Sequence, residues 1–168
     1  MSRIIVNVIH IQVTTISYII NKKMKKFFAL TLVVAFSLLI SACSDRPVAP
    51  QQVPQPIHMF VRQYFPGQTI TYAEKDLEIT GYKYDVFLAD GTHIDFDTDN
   101  VWDKIECNMT RTVPTALIPA PLVVNIKASF PDAMILKIDK ERYGYDVELA
   151  NGIELKFNKQ GVLREMDD

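Results

Sequence analysis

Tyr84–Glu106 reads YDVFLADGTHIDFDTDNVWDKIE, and Tyr145–Asp167 reads YDVELANGIELKFNKQGVLREMD. The two stretches share Tyr-Asp-Val, Leu-Ala, Gly, Phe and Val at matching places. Each alternates apolar and polar residues with the period of two that marks a half-buried strand. Asp90-Gly91 and Asn151-Gly152 suit a two-residue type I′ hairpin, but that register sets Val86 against Asp95 and Val147 against Lys156. A three-residue loop ending in glycine, with a G1 bulge, instead pairs Val86 with Ile94 and Tyr84 with Phe96. In the second copy it pairs Val147 with Leu155 and Tyr145 with Phe157. All eight side chains then share a buried face within their own copy, so the bulged turn is the better reading.

The likeness extends upstream. VPQPIHMFVRQYFP (Val53–Pro66) aligns with IPAPLVVNIKASFP (Ile118–Pro131). Pro56 and Pro121 open helices, where a missing N–H costs nothing. Ile57, Phe60, Val61 and Tyr64 follow at helical spacing, as do Leu122, Ile126 and Phe130. Phe65-Pro66 and Phe130-Pro131 stop both helices, because the residue before proline avoids helical angles. Four strands are predicted after each helix: about 68–74, 82–88, 92–97 and 101–106, then 134–139, 143–149, 153–157 and 162–166. The period of about 60 residues is too long for most solenoid units. The expected fold is α+β, a tandem repeat of a helix plus a four-stranded antiparallel sheet, with copies at 53–112 and 113–168.

The N-terminal 43 residues read as an address. All 20 acidic residues lie beyond Cys43, whereas Arg3, Lys22, Lys23, Lys25 and Lys26 precede it. From Met24 a basic start leads into an apolar run, Phe27–Ile40, and then Ser41-Ala42-Cys43: the three parts of a secretory signal over residues 24–42. The run of about 14 residues is short for a span that needs about 20. Ile40-Ser41-Ala42-Cys43 resembles a bacterial lipobox, which implies that Cys43 becomes the lipid-bearing N-terminus. Residues 1–23 are either an upstream extension from a misjudged start, with Met24 the true start, or a long signal n-region. Residues 43–52, with Pro47 and Pro50 among polar neighbours, read as an extended tether.

Past the signal there are 13 basic against 20 acidic residues, a formal charge of −7. Such a body is unsuited to nucleic acid or to the surface of an anionic membrane, which leaves the lipid as the contact with membrane. Cys107 is the one thiol left after acylation of Cys43. That excludes an internal disulfide and a cysteine-rich zinc site, and Cys107 reads as a small buried apolar residue.

The acids of 95–106 are spaced like an EF-hand loop, which makes Asp95, Asp97, Asp99 and Glu106 calcium candidates. EF-hand loops join helices, however, and this one joins strands. Asn100 stands where the loop wants glycine, and the second copy makes the same turn with Lys156, Asn158, Gln160 and Gly161. A hairpin turn without metal is the favoured reading.

No catalytic constellation is present. His58 and His93 lack a partnered nucleophile. Asp85 and Asp95 could pair as glycosidase carboxylates do, but across an open strand pair they lack a cleft. No enzyme and no cofactor are expected. A sheet covered by helices on one side leaves its other face for a partner. Alternation places Phe87, His93 and Trp102 there, opposite Val86, Ile94, Val101 and Ile105. Exposed aromatics are enriched at binding hot spots, so these three are the candidate partner-binding residues.

At YFPGQTI (Tyr64–Ile70), YDVFLADGTHIDFD, Val113–Pro119, FPDAMI and GYDVELANGIELKF the chain resembles the PepSY-like, β-lactamase-inhibitor-like secreted proteins of gut Bacteroidota. The resemblance runs over Val53–Asp168. It implies tandem helix-plus-four-strand repeats, export to the periplasm or outer membrane, frequent lipid anchoring and no known catalytic centre. Leu163 stands where the first copy has Trp102, so the two halves need not bind alike. The expected function is that of a non-catalytic module docking an unidentified exported protein; the alternative is an envelope spacer without a specific ligand.

Overall fold

A computed structural model describes residues 46–167. The signal segment and Cys43 lie outside the described residues.

Helix α1 (Gln55–Tyr64) carries Pro56 in its first turn and buries Ile57 and Val61, four residues apart on one face. Helix α2 (Ala120–Ser129) does the same with Pro121, Leu122 and Ile126. Each ends as expected at a Phe-Pro pair, with Phe65 N–H donating to Val61 O (2.8 Å) and Phe130 N–H to Ile126 O (2.7 Å).

Strands β2 (Ile70–Glu78), β3 (Gly81–Leu88), β4 (His93–Phe96) and β5 (Trp102–Glu106) follow α1; β6 (Ile135–Glu141), β7 (Gly144–Leu149), β8 (Glu154–Asn158) and β9 (Leu163–Asp167) follow α2. The register argued from the glycine turns is the observed one. Val86 pairs with Ile94 and Tyr84 with Phe96; Val147 pairs with Leu155 and Tyr145 with Phe157. Gly91 and Gly152 close the three-residue loops at φ of 86° and 87°, left-handed angles that glycine adopts without steric cost.

Two expectations need correcting. Arg46–Val48, read as tether, forms strand β1 and pairs antiparallel with Ala73–Lys75 of β2. The strands after each helix also do not make separate four-stranded sheets. β5 pairs with β6 through Lys104–Asp139, Ile105–Ile138 and Glu106–Lys137. The result is one nine-stranded antiparallel sheet whose spatial order equals its chain order.

A single row of paired side chains crosses all nine strands: Val48, Ala73, Val86, Ile94, Ile105, Ile138, Val147, Leu155 and Met166. Every member is apolar, and both helices pack on this face. Ile57, Val61, Leu122 and Ile126 join the strand residues in one core, and Phe60 meets Phe96 edge-on at 5.3 Å. Ile94, Ile105 and Ile138 are fully buried. Burying each such side chain contributes about 1.5–3 kcal/mol.

Candidate functional site: the open sheet face

The residues between the apolar positions point to the opposite face of the sheet. Tyr72, Phe87 and His93 lie side by side across β2, β3 and β4. The His93 ring lies flat on Phe87, with centroids 4.2 Å apart and planes within 3°, and Tyr72 leans on Phe87 at 5.6 Å. Beyond His93 the same row turns charged, running through Glu106, Lys137, Glu148, Glu154 and Asp167. The neighbouring row holds Glu74, Asp85 and Asp95 on the first strands, then Lys104, Asp139, Asp146, Lys156 and Glu165. These two rows together present ten carboxylates against Lys104, Lys137, Lys156 and a single histidine.

Two of these lysines are spent locally. Lys104 reaches Glu106 at 3.0 Å, and Lys156 bridges Glu165 (3.2 Å) and Asp167 (3.4 Å). Burial works against the Lys104 ammonium, but its hydrogen bond to Glu106 and the charges of Asp95, Glu106 and Asp139 outweigh it and raise the pKa. Asp139, half-buried and flanked by Glu141, has its carboxyl pKa raised mainly by burial.

Phe87 and His93 occupy the open face as the alternation requires. Trp102 does not. It pairs with Phe96, while Lys104 pairs with Asp95, so two residues of β5, Trp102 and Asp103, stand opposite one on β4. This bulge turns Trp102 onto the helix-covered face, where it packs on the core. Val101, expected to be buried, is 50% exposed. Lys140 lies over the indole, with Nζ 3.6 Å from the ring centroid, and donates to the Trp102 carbonyl. Burial lowers the Lys140 pKa, against the pull of Asp103 and Asp97.

The acidic hairpin shows its own logic. Asp97 Oδ1 accepts the backbone N–H groups of Asp99 (2.9 Å) and Val101 (2.8 Å), and Asn100 takes the left-handed angle (φ 61°). In the second half Asn158 Oδ1 accepts from Gln160 and Val162 in the same way, and Gly161 replaces Asn100. Asp97 therefore closes a turn that an amide closes equally well. Among the described residues, the ligand-type side chains that do converge are Asp85, His93 and Asp95, whose donor atoms lie within 4.8 Å of one another. Of this trio the EF-hand spacing picked out Asp95 alone. Asp85 was legible only as its cross-strand neighbour, and His93 only as an aromatic of the open face.

The family model described as "Putative beta-lactamase-inhibitor-like, PepSY-like" matches residues 82–165, half of the chain. This protein belongs to the PepSY-like family. One similar solved structure, from Bacteroides thetaiotaomicron, is described as a "putative calcium-regulated periplasmic protein". It is 31% identical with a TM-score of 0.66, over 74% of this chain and 97% of that one. A second, a "putative periplasmic protein" of the DUF2874 family from Bacteroides vulgatus, is 30% identical with a TM-score of 0.68, over 74% and 98%. A third, also from Bacteroides vulgatus and described as of unknown function, is 26% identical with a TM-score of 0.68, over 74% and 100%. No curated protein sequence matches the chain. The PepSY-like assignment agrees with the resemblance seen in the motifs.

Proposed function

We propose that this PepSY-like protein is an exported, lipid-anchored and non-catalytic module, built from a duplicated helix-plus-four-strand unit, that docks a basic exported protein on its open sheet face. The observation that carries this is the composition of that face: two rows spanning the sheet in which ten carboxylates outnumber three lysines, bordered by the Tyr72–Phe87–His93 aromatic cluster. Surplus negative charge steers a cationic partner and disfavours anionic ones. Stacked aromatics supply the apolar anchor that such docking needs. The inhibitor-like kinship of the family and the periplasmic description of its relatives support an envelope setting and a protein ligand.

The test is a cross-linked pull-down from the native envelope at low and high salt. It compares wild type with Phe87→Ala and with a Glu148→Lys, Glu154→Lys double variant of equal thermal stability. The expected result is a basic protein captured by wild type, released by salt and lost in both variants. In the same preparation, Cys43→Ala should move the protein from the membrane to the soluble fraction. Capture that neither variant reduces, or no specific capture, overturns the docking role in favour of an envelope spacer.

A calcium-dependent form of this reading has one specific support, the relative described as calcium-regulated. Titration of calcium to millimolar concentration, without heat or change in melting, excludes it.

A further inference from the structure

We propose that Asp85, His93 and Asp95 form a binding site for a divalent transition-metal ion of the zinc type, a role independent of the docking reading.

The register builds the site. Asp85 and Asp95 face each other directly across β3 and β4, and His93 lies two residues from Asp95 on the same face. His93 Nε2 stands 2.8 Å from Asp95 Oδ1. Both atoms are shut off from solvent, and their mutual approach falls outside hydrogen-bonding angles. A protonated imidazole makes this contact an ion pair; with the imidazole neutral, two buried acceptors meet, and a cation between them satisfies both.

Bond lengths agree. With metal–ligand distances of about 2.1 Å, two donors 2.8 Å apart subtend about 84° at the ion, near the right angle that nickel and copper take, and opening the pair to about 3.4 Å gives the tetrahedral angle of zinc. The three donor atoms all lie within 4.8 Å of one another, a bound slightly above twice that bond length. A small rotation of the Asp85 carboxylate about its soft terminal torsion closes the gap. All three residues are part-exposed, which leaves room for water at the remaining positions.

Two further observations select the ion and the place. The imidazole is held in plane by its stack on Phe87, and an imidazole with two carboxylates suits zinc, nickel or copper better than calcium, which takes oxygen ligands. The second half supplies an internal contrast. There Asp146 faces Lys156, and Glu148 pairs with Glu154, at the places of Asp85, Asp95, Phe87 and His93. A lysine stands where Asp95 stands, and the imidazole is missing. The first half alone offers the metal-binding set. Lys104, opposite Asp95 on its other side, is the competing cation, and its ammonium is engaged by Glu106.

The experiment is isothermal titration of the full chain with zinc chloride and, separately, calcium chloride, using wild type, His93→Ala, Asp95→Asn and Asp85→Asn. Thermal melting of each metal-free variant checks its fold. The site predicts one zinc per chain, a zinc-dependent rise in melting temperature, and affinity weakened at least tenfold in His93→Ala and in one or both aspartate variants. Bound cobalt should give visible absorption that His93→Ala removes. Absence of zinc binding to millimolar concentration overturns the site, as does binding that survives all three substitutions. Calcium binding lost in the aspartate variants but kept in His93→Ala also overturns it, by removing the imidazole from the coordination.

Discussion

Gly144 shows how little freedom one position can have. A Cβ there would lie 2.0 Å from the Phe157 carbonyl oxygen and 2.5 Å from the Asn158 carbonyl carbon, both backbone atoms that cannot yield. At Gly81, which follows the β2–β3 turn as Gly144 follows the β6–β7 turn, the nearest atom is the Thr98 Cβ at 3.6 Å, an ordinary contact. Gly144→Ala is expected to cost more than about 4 kcal/mol and Gly81→Ala markedly less, a contrast that denaturant unfolding of the two variants measures. Cys107 is inert for a different reason. Burial pushes its thiol up from 9.0 to about 11, with the Thr92 hydroxyl pulling weakly the other way. A thiol raised in the folded state contributes its full stability below pH 9 and loses it as pH climbs through about 11. The loss of stability over that window should be shallower in Cys107→Ala, by less than about 3 kcal/mol. Native Cys107 should also react with thiol reagents at pH 8 far more slowly than the unfolded chain.

At the scale of elements, the seam between β5 and β6 decides whether the halves act together. Three residue pairs make it, and the central one, Ile105–Ile138, is fully buried. Truncating either isoleucine to alanine should cost about 2–5 kcal/mol. Because the core is continuous across the seam, calorimetry should show one transition shifted downwards. Two separated transitions would mean that the halves fold independently. The elements were legible in the sequence where local chemistry is strong. Proline and glycine marked the helix ends and hairpin loops, and matching apolar faces fixed the register of β3–β4 and β7–β8. The face of Trp102 was not legible, because the extra residue Asp103 in β5 leaves no local mark and shifts alternation by one. β1 was hidden in the same way: Arg46-Pro47-Val48 has no alternation, and only the edge of β2 gives it a partner.

For the whole molecule, the sequence indicated that two similar halves share one body but not that their strands continue into one sheet. That continuity rests on pairing between residues about thirty apart, Lys104 with Asp139 among them, which no local pattern announces. The charge of the open face was foreshadowed by the net −7. Its concentration into two rows emerges only when the strands are aligned, and so does the meeting of Asp85, His93 and Asp95. The proposed docking surface and metal site are thus properties of register, whereas the helices and hairpins are properties of local sequence.

The identity of spatial and chain order has a consequence for how the molecule is made. A polypeptide delivered N-terminus first, from a ribosome or through a membrane pore, presents each strand of this sheet after its neighbour has already emerged. β1 awaits only β2, and no later strand must thread back between two that are already joined. Folding can therefore advance as a zipper with the chain, its growing edge the place where each newly exposed row of unpaired backbone meets its proper partner next.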